Sequence, residues 1–350
     1  MTRVDVLVVG QGICGTFLSR ELDRAGLSYI VIDEERPDSA SRAAAGLINP
    51  VTGRRFVKTW MIDELLPFLR EAYDESLLRP VQVVDFFPTA QMRLAFVKRC
   101  EEGGEYVRLA QTQEEHEWDA LFRYGLGYGV IEPCYLVDMR ALLAGARGEL
   151  NGRGVLRGEC FEPAELVVRD SGVQYQDIEA RWVIFCDGVA GAREGFFSRL
   201  PFAPNKGEAL IIEAPELGVG EFVFKRGISL APWSQGLFWA GSSYEWSFDD
   251  PGPTSAFREK TEAILKDWLR VPFRTVDHVA SLRPATLERR PFVGLHPVHP
   301  VVGILNGMGT KGCSLAPWFA RELAGLLAKG EAVLGQADVQ RFRRVLGAVK

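Results

Sequence analysis

Between Val4 and Val9 every position but Asp5 is apolar, which predicts a buried strand running directly into Gly10. The period then changes. Ile13, Phe17, Leu18, Leu22 and Ala25 share one face of a helix, Gly26 stops it, and Ser28 to Asp33 predicts a second buried strand. The chain therefore opens with a strand–helix–strand unit. Further along, Arg181 to Phe185 reads as another buried strand, while Val81 to Phe87, Glu208 to Glu213, Gly227 to Ala231 and Leu237 to Gly241 alternate or remain apolar over strand lengths. Two later stretches return to helical spacing. One runs from Thr254 to Leu269 through Ala256, Lys260, Ile264 and Trp268, with an arginine-bearing outer side that reads as scaffold; the other carries Phe319, Leu323, Leu326 and Leu327, with Pro317 expected in its first turn.

The loop between the first strand and helix changes this picture from topology to chemistry. Gly10-Gln-Gly12-Ile13-Cys14-Gly15 is a Gly-x-Gly-x-x-Gly turn in the one context where it signifies a dinucleotide site. Gly10 permits the tight turn, Gly12 lets backbone N–H groups approach a pyrophosphate, Gly15 lets the helix pack against its strand, and the helix N-terminus faces the phosphates. Seventeen residues separate Gly15 from Asp33, which closes the second strand, where a carboxylate accepts hydrogen bonds from a ribose hydroxyl and disfavours a 2′-phosphate.

With 350 residues the chain exceeds what one compact core usually holds, so two domains are expected. A net charge of −5 argues against nucleic acid or an anionic membrane as the main partner. Six cysteines, Cys14, Cys100, Cys134, Cys160, Cys186 and Cys313, form no Cys-x-x-Cys pair and no metal-like spacing with histidine. Reduced thiols in a cytoplasmic setting are expected, with no metal. No secretory leader, membrane-length apolar run or internal repeat is evident in the sequence.

Four segments, in order, resemble the D-amino-acid oxidase family of FAD-dependent oxidoreductases, which includes glycine oxidase and sarcosine oxidase. The first is the glycine turn with the loop Ser39-Ala-Ser41-Arg42-Ala43-Ala-Ala45-Gly46-Leu47, similar to the family's passage from pyrophosphate to isoalloxazine. The second, Arg181 to Gly188, resembles its second FAD signature, with Cys186-Asp187 in place of the usual small residues. The third is Ser281-Leu-Arg283-Pro284-Ala-Thr286 through Arg290-Pro291 to Gly294. The fourth is Leu305-Asn-Gly307-Met-Gly309-Thr310-Lys311-Gly312 leading into the last helix. The resemblance implies noncovalent FAD held by Gly10, Gly12, Ile13, Cys14, Gly15, Asp33, Glu34, Ser41, Arg42, Ala45, Gly46, Leu47, Gly158, Cys186, Asp187, Gly188, Gly307, Gly309, Thr310, Lys311 and Gly312. Cys313 does not match the cysteine through which sarcosine oxidase holds its flavin.

The same resemblance implies an α/β architecture: a discontinuous Rossmann-like FAD-binding domain (GR2-type) from residues 1–79, 134–204 and 277–350, interleaved with a β-rich α+β substrate domain from 80–133 and 205–276. It implies oxidation of a C–N bond in a small amino acid or secondary amine bearing a carboxylate. The hydride passes to flavin N5 and onward to O2 or another acceptor, and the imine hydrolyses. No protein nucleophile is needed, so His116, His278, His296 and His299 read as surface or core residues.

Three residues stand out for substrate and charge. Arg283 is the expected carboxylate anchor, since a guanidinium grips a carboxylate through two parallel bonds; the alternative is an ion pair with Glu288, and Arg289 and Arg290 are rival guanidiniums. Tyr244 falls where glycine oxidase presents a methionine to substrate, and Ser229 where that enzyme has a tyrosine, so Tyr244 reads either as a pocket residue or as sheet packing. Lys311 either stabilises negative charge at flavin N1, together with the dipole of the last helix, or faces solvent. The Arg54-Arg55-Lys58 cluster reads as a solvated face or as a site for a larger anion. Two alternatives follow: a flavoenzyme acting on a carboxymethylaminomethyl group of tRNA, and a noncatalytic FAD-binding protein.

Overall fold

The computed structural model describes residues 1–114, 116–193, 195–218, 220–234 and 236–347. They form two units. The first comprises Met1–Arg42, Met139–Asn205 and Leu282–Lys350, and the second Ala43–Asp138 and Lys206–Ser281. Residues 43–79, 134–138 and 277–281, which the sequence reading grouped with the dinucleotide-binding part, thus fall in the second unit.

The chain alternates between them. It begins with β1 (Thr2–Val9), α1 (Ile13–Arg24), β2 (Tyr29–Ile32) and α2 (Ala40–Ala43). The second unit then takes β3 (Leu47–Ile48), β4 (Val51–Thr52), β5 (Val57–Lys58), α3 (Ile62–Ala72), β6 (Leu78–Phe86), α4 (Ala90–Glu101), β7 (Val107–Leu109) and β8 (Tyr128–Val137). Next come α5 (Met139–Gly152), β9 (Leu156–Arg157), β10 (Leu166–Arg169), β11 (Gly172–Tyr175) and β12 (Ile178–Phe185). A second excursion adds β13 (Asn205–Glu213), β14 (Phe222–Arg226), β15 (Ile228–Ser234), β16 (Leu237–Gly241), α6 (Ser255–Trp268) and β17 (Arg274–Arg283). The chain closes with β18 (Phe292–Leu295), β19 (Val302–Asn306), α7 (Gly312–Lys329) and α8 (Arg343–Leu346).

In the first unit β1 lies at the centre of an eight-stranded sheet, paired in parallel with β2 on one side and β12 on the other, while β19 adds parallel to β12. Parallel strands covered on both faces need apolar side chains throughout, and β2 is buried at all four positions. Leu7, Val9, Ile30, Ile32, Val183 and Ile304 build one core with Phe292. The opposite ends of β1, β2, β12 and β19 are not equivalent: their C-terminal ends all release glycine-, aspartate- or asparagine-bearing loops, the edge at which parallel α/β sheets bind ligands.

The second unit is a nine-stranded, mostly antiparallel sheet that includes β6, β13, β15 and β16, so the four separate apolar runs belong to one sheet. Alternation assigns its two faces. Leu210 and Ile212 pack with Phe86, Phe224 and Trp268, while Ala209 and Ile211 pack on the other side with Val83, Phe96 and Trp239. Two helical expectations are corrected. On α6 the buried stripe is Phe257, Thr261, Leu265 and Trp268, one residue beyond the expected Ala256–Lys260–Ile264 series, because it places Phe257 in the core and leaves Lys260 in water. Pro317 sits inside α7 rather than in its first turn, since the helix starts at Gly312. Among the described residues no helix is long and apolar enough to cross a membrane.

Candidate active site

The glycine turn has the geometry its spacing demands. Gly10 adopts φ +98°, and a Cβ there would lie 2.7 Å from the Cys186 carbonyl oxygen. At Gly15 an added Cβ would sit 1.9 Å from Gly10 O, so only hydrogen fits between α1 and the end of β1. Gly12 is the N-cap of α1 and offers no side-chain cap. The Ile13 N–H donates to Ser41 Oγ at 3.0 Å, which leaves the Ser41 hydroxyl proton free to serve an acceptor at the helix N-terminus. A second helix converges here, since a Cβ on Gly312, the first residue of α7, would be 3.2 Å from Ile13 Cγ2. Two helix N-termini and a hydroxyl form a donor set suited to a pyrophosphate.

At the end of β2, Asp33 Oδ2 accepts from Gln11 N at 2.8 Å, and Oδ1 accepts from Glu35 N and from Arg147 Nη1, both at 2.8 Å. Arg147, on α5, also meets Glu35 and the Asp33 carbonyl. Sequence reasoning missed this arginine, because nothing local marks a residue that reaches 114 positions back along the chain. Asp33 is thus held in place by three donors, and a ribose hydroxyl would share its oxygens with them. Gly158 lies beside Arg147, Arg42 pairs with Glu35 at 3.2 Å, and Glu34 is exposed.

Cys186 and Asp187 follow β12. Both Cys14 and Cys186 are buried and their thiols are pushed up by desolvation, Cys14 to about 12, so neither is a thiolate at neutral pH. Burial is also the main cause that raises Asp187 to about 7, against the hydrogen bond from Asn306 Nδ2 at 3.0 Å. Asn306, which also donates to the Gly188 carbonyl, is another residue the sequence did not flag. Gly188 takes φ +60°.

Beyond β19, Gly307 and Gly309 both have positive φ, Thr310 is exposed, and Lys311 occupies the N-cap of α7. The turn is tied to the Arg-Pro segment, since Gly309 N donates to Pro284 O at 3.1 Å and a Cβ on Gly307 would touch Thr286 Cγ2. Arg283 is therefore one residue from the glycine turn. Its Nη1 donates to Asn205 Oδ1 at 2.8 Å. The alternative partner Glu288 is taken by Arg341, and Arg290 is bonded to Gln336 and the Arg289 carbonyl. Cys313 is half-buried and lies against Met139, with its thiol raised to about 12 by desolvation, so it is not a thiolate at neutral pH.

In the second unit, Ala45 is half-buried, Gly46 takes φ +82° and presses on Val137 O, and Leu47 pairs with Leu136. Tyr244 is half-exposed with its ring edge-on to Trp246 at 5.2 Å. Ser229 lies on β15 opposite Gly241. Lys58 is engaged by Asp63 at 2.6 Å and Glu105 at 2.8 Å, so the cluster around Arg54 and Arg55 offers less positive charge than its composition suggests. A polar knot escaped the sequence reading. Glu208, fully buried, accepts from Thr254 N and Oγ1 at the head of α6 and pairs with Lys206 Nζ at 3.1 Å. His278 Nε2 lies 2.9 Å from the same carboxylate, though not aligned as a hydrogen bond.

The sequence profile of the FAD-dependent oxidoreductase family DAO matches residues 5–326. A glycine oxidase of Pseudomonas aeruginosa is 26% identical over 95% of this chain and 97% of its own. Among solved structures, an iminodiacetate oxidase from Chelativorans sp. BNC1 superposes with a TM-score of 0.76 at 22% identity, covering 95% of this chain and 98% of that one. A glycine oxidase from Geobacillus kaustophilus gives 0.73 at 20% identity, covering 95% and 96%. These likenesses carry the Rossmann-like FAD-binding fold that the interleaved units were expected to contain.

Proposed function

Because the chain belongs to the DAO family of FAD-dependent oxidoreductases, we propose that it oxidises the C–N bond of a small amino acid or secondary amine that carries a carboxylate. One observation supports this reading: the backbone carbonyl of Pro284, the residue after Arg283, accepts from Gly309 N in the glycine turn that opens α7, so the Arg-Pro segment and the segment assigned to the cofactor are adjacent. The names of the relatives agree, since glycine and iminodiacetate both pair an amine with a carboxylate.

Bound FAD supplies the two-electron acceptor that no side chain provides. The chain supplies position and charge. Arg283 grips the carboxylate bidentately, which fixes the α-carbon and its hydrogen in one direction; a rigid anchor of this kind removes orientational freedom before reaction. Lys311 and the N-terminus of α7 place positive charge where negative charge accumulates as substrate is oxidised. Asp33, Ser41 and the turn Gly10–Gly15 hold the adenosine and pyrophosphate. Cys313 is half-buried and its thiol is pushed up to about 12, so it offers no thiolate at neutral pH, and the reading includes noncovalent FAD. By resemblance, Tyr244 and Ser229 of the second unit stand at the sequence positions of a methionine and a tyrosine of glycine oxidase, and Tyr244 is taken as a substrate-contacting residue on that ground alone.

Anaerobic mixing of the purified holoenzyme with a panel of amino acids and N-methylamino acids tests the proposal. Reduction of the flavin by at least one small member is the expected result. A flavin that stays oxidised throughout would leave the noncatalytic reading in its place.

A further inference from the structure

Asp187 stands between two glycine turns of the first unit. A Cβ on Gly10 would come within 3.3 Å of its Cα, which sets it against the turn that opens α1. On the side of β19, Asn306 Nδ2 donates to Asp187 Oδ1 at 3.0 Å and to the Gly188 carbonyl at 2.8 Å, while Asn306 Oδ1 accepts from Gly307 N at 2.7 Å. The two backbone bonds fix which end of the Asn306 amide is which, because a carbonyl only accepts and a backbone N–H only donates. Asp187 Oδ1 is therefore an acceptor, and in the neutral acid the proton sits on Oδ2.

This carboxyl is poorly provided for as an anion. Asp33 accepts from three N–H groups, one of them on Arg147, whereas Asp187 receives only the Asn306 amide and its own backbone N–H. The titratable groups facing it are Cys14 of α1 and Cys186 at the end of β12, both protonated at neutral pH, and no cation among the described residues pairs with it. The adjoining turn is itself arranged for an anion, since two helix N-termini and the Ser41 hydroxyl converge there. A carboxylate next to that anion would oppose it. We propose that Asp187 binds FAD as the neutral acid, its Oδ2 hydroxyl donating to a diphosphate oxygen, and that the cofactor is held less tightly as this carboxyl ionises. The inference needs only that the chain binds FAD and does not depend on the substrate reading. An O–H donor to an ionised acceptor makes a short, strong bond, while the carboxylate offers the same acceptor only repulsion. Burial already raises the group to about 7, and a diphosphate beside it moves it in the same direction, so the bond is present at low pH and lost as pH rises above the raised value.

The test dilutes the FAD-loaded protein at pH values from 6 to 9 and reads released flavin by its fluorescence, with far-UV circular dichroism as the record of folding. The wild-type Kd for FAD is expected to rise about tenfold or more across this range. Asp187→Asn keeps the bond from Asn306 and puts a neutral N–H donor where the acid carried its proton, so it is expected to hold wild-type affinity at pH 6 with no rise by pH 9. Asp187→Ala has no donor and is expected to bind about tenfold more weakly at pH 6, again with no rise, and it remains informative where the asparagine variant does not fold. A wild-type Kd constant from pH 6 to 9 would overturn the proposal. A rise of wild-type size in either variant would overturn it as well, by placing the titrating group elsewhere. Flavin release that only follows loss of the helical signal would do the same, by making unfolding the cause.

Discussion

In the proposed function Arg283 and Lys311 carry opposite expectations, because the one is assigned to a group charged from the start and the other to charge that develops. Replacing Arg283 with lysine keeps the charge but loses the planar fork, and is expected to cost roughly 2–5 kcal/mol in kcat/KM while FAD stays bound. Unchanged efficiency would contradict its role. Lys311→Met is expected to lower the flavin midpoint potential and slow anaerobic reduction with little effect on substrate affinity, the pattern of an interaction that strengthens only along the reaction. Potential and rate equal to wild type would leave the N-terminus of α7 as the only positive group there. Asp187 adds a pH dependence. Its carboxyl, ordinarily near 3.8, titrates at about 7 in the folded protein. Folding therefore takes up a proton between these values, and the stability contributed is present at low pH and lost as pH rises towards 7. Asp187→Asn removes that loss, so the variant is expected to melt roughly 2–5 °C above wild type at pH 8 and to match it near pH 4. Melting curves that differ equally at both values would contradict the assignment.

What could be read from the sequence divides by range of interaction. The turn Gly10–Gly15, Asp33 and the glycine pair before α7 were legible because their geometry is set by immediate neighbours. Asn205, Arg147 and Asn306 were not, since each acquires meaning only from a partner brought up by tertiary folding, at separations of 78, 114 and 119 residues. Periodicity located α6 but placed its stripe one residue early, because the helix rotates to bury Phe257 and no local rule weighs a phenylalanine against an alanine–lysine series. Element geometry also supplies a paired test. Gly15→Ala forces a Cβ to within 1.9 Å of Gly10 O and is expected to destabilise by roughly 1–3 kcal/mol and strip FAD from the purified protein. Gly145→Ala, in open space on α5, is expected to stabilise by roughly 0.5–1 kcal/mol with FAD retained. Chemical denaturation and flavin content read both; similar behaviour of the two variants would contradict the packing argument for the turn.

At the scale of the whole chain, two sheets are each assembled from separated segments, and the sequence placed the strands in the right sheets more readily than it placed the crossings. Residues 43–79 follow the dinucleotide unit without interruption of composition, and tertiary contacts assign them to the second unit: β3 and the start of β6 pair with β8, and Val51 and Phe56 pack with Val81, Val83 and Phe96. The account at this scale is that FAD, held by the first unit, accepts electrons from an amine whose carboxylate is gripped by Arg283. Anaerobic flavin reduction by an amino acid and by its primary amide tests this most directly, because the pair differs only in the group the anchor recognises. The account predicts rapid bleaching by the acid and a rate at least about a hundredfold lower for the amide at equal concentration. Equal rates for acid and amide would contradict it.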